Sequence, residues 1–126
     1  MRVLYIDDDR VNTLLFVETC RFAPGIEVET ALTGAEALER IATWRPEMLV
    51  IDLHLPDTTG YELLPILRAR LPAPRAPAIL CTADPAQIVA GPARDAGFDG
   101  CWTKPVELSV VLTELALRSA GCHPPP

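Results

Sequence analysis

The chain has 126 residues, 49% of them hydrophobic and 22% charged, which fits one ordinary domain with a real core. A net charge of −6 and the absence of a basic stripe argue against a grip on nucleic acid. No apolar run approaches the roughly 20 residues of a membrane span, and Met1 to Ile6 runs straight into acid, unlike a signal peptide; a cytoplasmic protein with no membrane contact is expected.

Val3-Leu4-Tyr5-Ile6 is a continuous apolar run that stops at Asp7, as in a strand buried on both faces. A helical pattern from Val11 to about Phe22 ends at Pro24-Gly25. Ile26, Val28 and Thr30 alternate with Glu27 and Glu29, as in a strand with one wet face. Gly34 precedes an amphipathic stretch in which Ala35, Leu38, Ile41 and Ala42 are expected to share the buried face, before Pro46 stops it.

Met48-Leu49-Val50-Ile51 is a third strand, ending in Asp52. A loop through Pro56 and Gly60 leads to a helix over Tyr61 to Arg70, with Pro65 near its start. Ala78-Ile79-Leu80-Cys81 ends at Thr82, and a weaker strand near Gly100-Cys101-Trp102 precedes Lys104-Pro105. Between them Gly91-Pro92 falls where a fourth helix belongs; proline in a helix interior costs about 3 kcal/mol. That helix is expected to be short, kinked or mobile between residues 87 and 95. Leu108, Val111, Leu112 and Leu115 mark a last amphipathic helix. Residues 1–119 read as one domain and 120–126, with its proline run, as a frayed tail.

Five strands alternating with about five helices predict an α/β domain, a parallel sheet with helices on both faces joined by right-handed crossovers. In such sheets ligands bind beyond the carboxyl ends of the strands. Asp7, Asp8, Asp9, Asp52, Thr82 and Lys104 all fall there. Clustered carboxylates repel unless some protonate or a cation sits among them, and an all-oxygen set suits magnesium. An aspartate can serve as a covalent nucleophile, while a lysine and a hydroxyl hold phosphoryl oxygens. Asp9 reads equally as the cap of the first helix. Cys20, Cys81, Cys101 and Cys122 form no C-x-x-C pair and read as reduced thiols; a redox role for Cys81 with Cys101 requires their strands to be neighbours. Trp44 and Trp102 read as packing residues.

The run from Val3 to Asp9, then Val50-Ile51-Asp52-Leu53-His54-Leu55-Pro56 with Gly60, then Thr82-Ala83, then Lys104-Pro105, resembles the receiver domain of response regulators over about residues 2 to 118. The stretch from Ala96 to Pro105 is similar to receivers at the C-terminal end of hybrid histidine kinases. The resemblance implies a flavodoxin-like (βα)5 fold with strand order 2-1-3-4-5. It also implies that Asp52 is the phosphoacceptor in a two-component phosphorelay. Magnesium would be held by Asp8, Asp52 and the backbone carbonyl of His54, with Asp7 acting through water. Thr82 and Lys104 would bind the phosphoryl group. The implied partner is a histidine kinase or histidine phosphotransfer protein, with self-pairing on activation; beyond taking and losing its own phosphoryl group the chain would not be an enzyme. The chain departs from the pattern at Cys101, which stands where the family usually has the tyrosine or phenylalanine of its aromatic switch, and at Gly91-Pro92 in the fourth helix.

Two other readings remain open. Asp7-Asp8-Asp9-Arg10-Val11 also matches the nucleophile motif of haloacid-dehalogenase-type phosphatases, with Asp7 as nucleophile and Asp9 as acid/base, although only Glu107 and Glu114, and no aspartate, follow Lys104 where that family has a further acidic pair. The chain could also be a receiver-fold docking module that is never phosphorylated.

Overall fold

The computed structural model describes residues 1–119; the expected frayed tail, with Cys122 and His123, lies outside them. Strands β1 (Arg2–Ile6), β2 (Glu27–Ala31), β3 (Met48–Asp52), β4 (Ala78–Thr82) and β5 (Gly100–Thr103) alternate with helices α1 (Arg10–Cys20), α2 (Gly34–Thr43), α3 (Gly60–Arg70), α4 (Ala86–Ala96) and α5 (Leu108–Ser119). All strand pairings are parallel and the order is β2-β1-β3-β4-β5. This is the parallel α/β sheet that the sequence pattern predicts, in the flavodoxin-like order that the resemblance implies.

Strand alternation sends successive side chains to opposite faces and divides the core in two. Leu4, Ile6, Leu49, Ile51 and Leu80 pack with α2, α3 and α4. Val3, Tyr5, Met48, Val50, Ile79, Cys81 and Trp102 pack with Phe16 and Cys20 of α1 and with Val111 and Leu115 of α5. β3 and β4 are buried at every residue, as strands covered on both faces must be. β4 and β5 are indeed neighbours, with Leu80 opposite Cys101 and Cys81 opposite Trp102. The two thiols therefore point to opposite faces, Cys81 towards α1 and α5 and Cys101 towards the other core, and both are free.

Three helices begin on a side chain that accepts from their first-turn amides: Asp9 for α1, Thr33 for α2 and Thr59 for α3. Asp9 is thus a cap, as its alternative reading held. Gly97 ends α4 in the left-handed conformation at φ 103°, with Phe98 N donating to Ala93 O, a conformation glycine adopts without a Cβ penalty.

Two expectations are corrected. The buried stripe of α2 is Gly34, Ala37 and Ile41, with Leu38 beside it, whereas Ala35 and Ala42 are exposed; short alanines sit at several positions, so side-chain type marked the face poorly. α4 runs unbroken from Ala86 to Ala96 through Pro92, contrary to the expected short or kinked helix. Pro92 is exposed, and so is Ile88, whose carbonyl loses its partner. Water can replace that bond on the outer face, while Val89 and Ala93 keep the inner face packed. Pro65 is likewise an exposed residue within α3.

Candidate functional site

The register brings the strand ends together. Ile6 lies opposite both Ala31 and Ile51, and Asp52 lies opposite Cys81. Asp7 and Asp52 therefore leave adjacent strands at the same level. By parity, Asp7 continues the face of Val3 and Tyr5, Asp52 that of Met48 and Val50, and Lys104 that of Trp102. The three groups meet on one side of the sheet edge. Thr82 continues the opposite face, that of Ala78 and Leu80.

Asp7 is 1% exposed and Asp52 6%, while Asp8 is open to solvent. One carboxylate oxygen from each of Asp7, Asp8 and Asp52 lies within 4.8 Å of the others. Lys104 Nζ is 3.0 Å from Asp7 Oδ2 and 3.4 Å from Asp52 Oδ1. Asp7 Oδ2 also accepts from Tyr5 Oη at 2.9 Å, and Asp7 Oδ1 accepts from Asp9 N at 2.9 Å. A single ammonium among three carboxylates leaves an excess of negative charge in a partly dry place. Burial, reinforced by the charge of Asp7 and opposed by Lys104, pushes the Asp52 carboxyl up to about 6. Burial draws Lys104 down, but its bond to Asp7 and the charges of Asp52 and Asp7 outweigh it and hold the ammonium above its usual range. An all-carboxylate, negatively charged, half-open cluster is a donor set that fits a hard divalent cation.

The loop after Asp52 is tightly made. Leu53 N donates to Cys81 O at 3.1 Å, Leu55 N to Thr58 O at 3.1 Å, and Gly60 N to Leu53 O at 2.9 Å. At Gly60 a Cβ would come within 3.0 Å of the Asp52 carbonyl oxygen and of Leu80 Cδ1, so a side chain there would displace the peptide that carries Asp52. Asp57, in the same loop, accepts from Gly34 N and Ala35 N at 2.9 Å each, which ties the loop to the first turn of α2.

Thr82, 1% exposed, accepts from Asp84 N at 3.1 Å, and among the described residues no hydrogen bond joins it to the acidic cluster. The β3–β4 register still sets it one residue past the level of Asp52, which lies opposite Cys81, and Lys104 N donates to Thr82 O at 2.7 Å on the other side. The His54 ring reaches Asp84, Nε2 to Oδ2, at 2.9 Å. Sequence reading missed Tyr5, which carries a hydroxyl in a strand buried on both faces two residues before Asp7; that spacing was the available signal. It also missed Asp57, for which one acid in a loop gives no signal.

Cys101 is half-buried and packs against the α2–α4 core beside Tyr61. Trp102, on the opposite face, lies over Phe16, which stacks on Tyr5 with ring centroids 4.3 Å apart. Trp44 packs against the core as expected.

A flavodoxin-like sheet with an acidic cluster and a lysine at its carboxyl edge defines a small doubly wound α/β domain whose charged site lies where such sheets bind their ligands. The chain matches the family model described as "Response regulator receiver domain" over residues 3–116, and it belongs to that family. It is 36% identical over 117 residues to the response regulator MprA of Mycobacterium avium, covering 91% of this chain and 49% of that protein. It is 34% identical over 115 residues to the transcriptional regulatory protein KdpE of Mycobacterium tuberculosis, covering 91% and 50%. The chain thus spans about half the length of these curated relatives. Among solved structures it superposes on the chemotaxis response regulator CheY4 of Vibrio cholerae with a TM-score of 0.82 at 26% identity, covering 91% of this chain and 95% of that one. On the receiver domain of the Francisella response regulator 1452 the TM-score is 0.81 at 27% identity, covering 97% and 98%.

The finer likeness to the terminal receivers of hybrid kinases finds no support in these names. Nor do they support the expected absence of a nucleic-acid partner, since one relative is named a transcriptional regulator. The phosphatase reading is set aside by the family match. The geometry agrees, since Asp9 caps α1 and Asp7 is buried under Tyr5 and Lys104. Among the described residues no helix is long and apolar enough to cross a membrane.

Proposed function

We propose that the chain accepts a phosphoryl group on Asp52 from a histidine kinase or a histidine phosphotransfer protein, in a magnesium-dependent reaction, and thereby switches its partners in a two-component system. The observation that carries this reading is the buried Asp52 carboxylate, at a strand end beside two further carboxylates and 3.4 Å from the Lys104 ammonium.

Asp8 and Asp52, with the backbone carbonyl of His54, would hold the metal, and Asp7 would act on it through water. Magnesium supplies charge neutralisation, so that a carboxylate can approach a phosphoryl group that is itself negative. Burial and Asp7 raise the basicity of Asp52, which strengthens it as a nucleophile once it is ionised. In the transfer, an Asp52 oxygen forms a bond to phosphorus while the bond from phosphorus to the donor imidazole breaks, and the imidazole keeps that electron pair. Lys104 then turns from Asp52 and Asp7 to a phosphoryl oxygen, a charge-assisted contact that the carboxylates have kept ready. Thr82, whose hydroxyl oxygen accepts from the Asp84 amide, donates its hydroxyl hydrogen to another phosphoryl oxygen. This movement of Thr82 and Lys104 is the signal, because it shifts the loops after β4 and β5.

The same reading makes the protein a cytoplasmic regulator and not an enzyme with turnover. Cys101 stands where the family usually has its switch aromatic, so the output is read from another surface or from pairing between copies.

The test is intact mass after incubation with magnesium and acetyl phosphate, beside Asp52→Asn. A gain of about 80 Da that requires both Asp52 and magnesium is expected. No gain in the parent protein, with magnesium shown to bind, would leave a docking module that keeps the pocket without using it.

A further inference from the structure

Tyr5 is 4% exposed and sits on β1 two residues before Asp7, so both side chains leave the same face of the strand. Its ring is stacked on Phe16 at an interplanar angle of 12°, and Phe16 in turn lies against Trp102. The phenol cannot turn away without breaking that stack. Its hydroxyl donates to Asp7 Oδ2 at 2.9 Å, the same oxygen that Lys104 Nζ contacts at 3.0 Å. The other Asp7 oxygen is occupied by Asp9 N at 2.9 Å.

Two donors therefore share one buried carboxylate oxygen, and only one of them has to move during phosphorylation. Lys104 is nearer to Asp7 than to Asp52, at 3.0 Å against 3.4 Å. If Lys104 were the sole partner of Asp7 Oδ2, its departure would leave that oxygen buried and unsatisfied, which is costly. With Tyr5 in place, the oxygen keeps a donor when the lysine leaves.

Resting on the reading of Asp52 as phosphoacceptor, we propose that Tyr5 is a positioning residue for Lys104: by holding Asp7 Oδ2 from below, it lets the ammonium move from Asp7 to the phosphoryl group on Asp52. Among the described residues the phenol hydrogen-bonds to Asp7 and not to Asp52, so its effect on the phosphoryl site runs through Asp7 and Lys104.

The experiment is a double-mutant cycle of Tyr5→Phe and Lys104→Met, with phosphorylation by acetyl phosphate followed by intact mass at saturating magnesium. Phenylalanine keeps the stack on Phe16 and removes only the oxygen; thermal unfolding of each variant confirms that it is folded. Tyr5→Phe is expected to slow phosphorylation about three- to tenfold, the worth of one net hydrogen bond. In the Lys104→Met background the same change is expected to have no effect, since there is no ammonium left to release. Parent-like rates in folded Tyr5→Phe would overturn the proposal. So would an equal slowing with and without Lys104, which would place Tyr5 in plain support of Asp7. If the parent protein itself gains no mass, the reading of Asp52 fails and the role of Tyr5 falls with it.

Discussion

His54 Nε2 and Asp84 Oδ2 lie 2.9 Å apart, which joins the loop after β3 to the loop after β4. His54 is two residues beyond Asp52 and Asp84 two beyond Thr82, so the pair bridges the two loops that flank the acidic cluster. Both side chains are open to solvent, and an exposed pair contributes little to stability. Its consequence is for access. Water that hydrolyses a phosphoryl group on Asp52 must arrive from the open edge, past these side chains. Asp84→Ala and His54→Ala are each expected to shorten the life of the phosphorylated protein about three- to tenfold while leaving its thermal midpoint within a few degrees. The check is the decay of the phosphorylated mass after the donor is removed; unchanged decay in both variants would exclude a gating role for the pair.

Asp52 is held at about 6 by burial and by Asp7, against an ordinary value of about 3.9. A carboxyl whose folded pKa exceeds its unfolded one weakens the fold when ionised. The cost is absent below pH ~4, grows between ~4 and ~6, and is full above ~6. Asp52→Asn is therefore expected to stabilise the metal-free protein at pH 7.5, on the order of 1–3 kcal/mol. The gain should vanish near pH 4 and shrink when magnesium is added to the parent. Urea unfolding across that pH range measures it, and equal stability of the two proteins at pH 7.5 would contradict the strained cluster.

Gly60→Ala would push a Cβ to within 3.0 Å of the Asp52 carbonyl and of Leu80 Cδ1. The backbone oxygen cannot rotate away as a side chain would. A loss of about 1–3 kcal/mol is expected, together with slower phosphorylation, because the peptide that carries Asp52 must shift. Denaturant midpoints and the acetyl phosphate assay read the two effects on the same preparation.

Asp57 is exposed, and the amides of Gly34 and Ala35 hold its carboxyl below the usual carboxylate range. Asp57→Ala removes a cap that α2 borrows from another loop, with an expected cost of about 0.5–2 kcal/mol. A depressed carboxyl stabilises above its unfolded value and loses that effect as pH falls through the folded one. The difference between Asp57→Ala and the parent should therefore be full at pH 6, begin to shrink as pH falls past ~4, and close only once the folded carboxyl is itself protonated. A difference that persisted there would point to packing instead of the charged cap.

The sheet, its five strands and the residues at its carboxyl edge were legible in the sequence for a local reason. Strands buried on both faces read as unbroken apolar runs, and each of those at β1, β3 and β4 stops at a polar residue of the carboxyl edge: Asp7, Asp52 or Thr82. Parallel order and right-handed crossovers then leave those ends little freedom, so the chain order of Asp7, Asp8, Asp52 and Lys104 is enough to put them on one edge. What depends on which side of an element meets a neighbour was not legible. Alanines at both faces of α2 hid its buried stripe, and the proline in α4 was misjudged because its cost depends on whether water reaches the freed carbonyl of Ile88. The pairing of Tyr5 with Asp7 and Lys104, the reach of Asp57 across to α2, and the bridge from His54 to Asp84 are contacts made between elements. Composition and period carry the short-range physics of backbone and burial; only packing decides which polar group finds which partner.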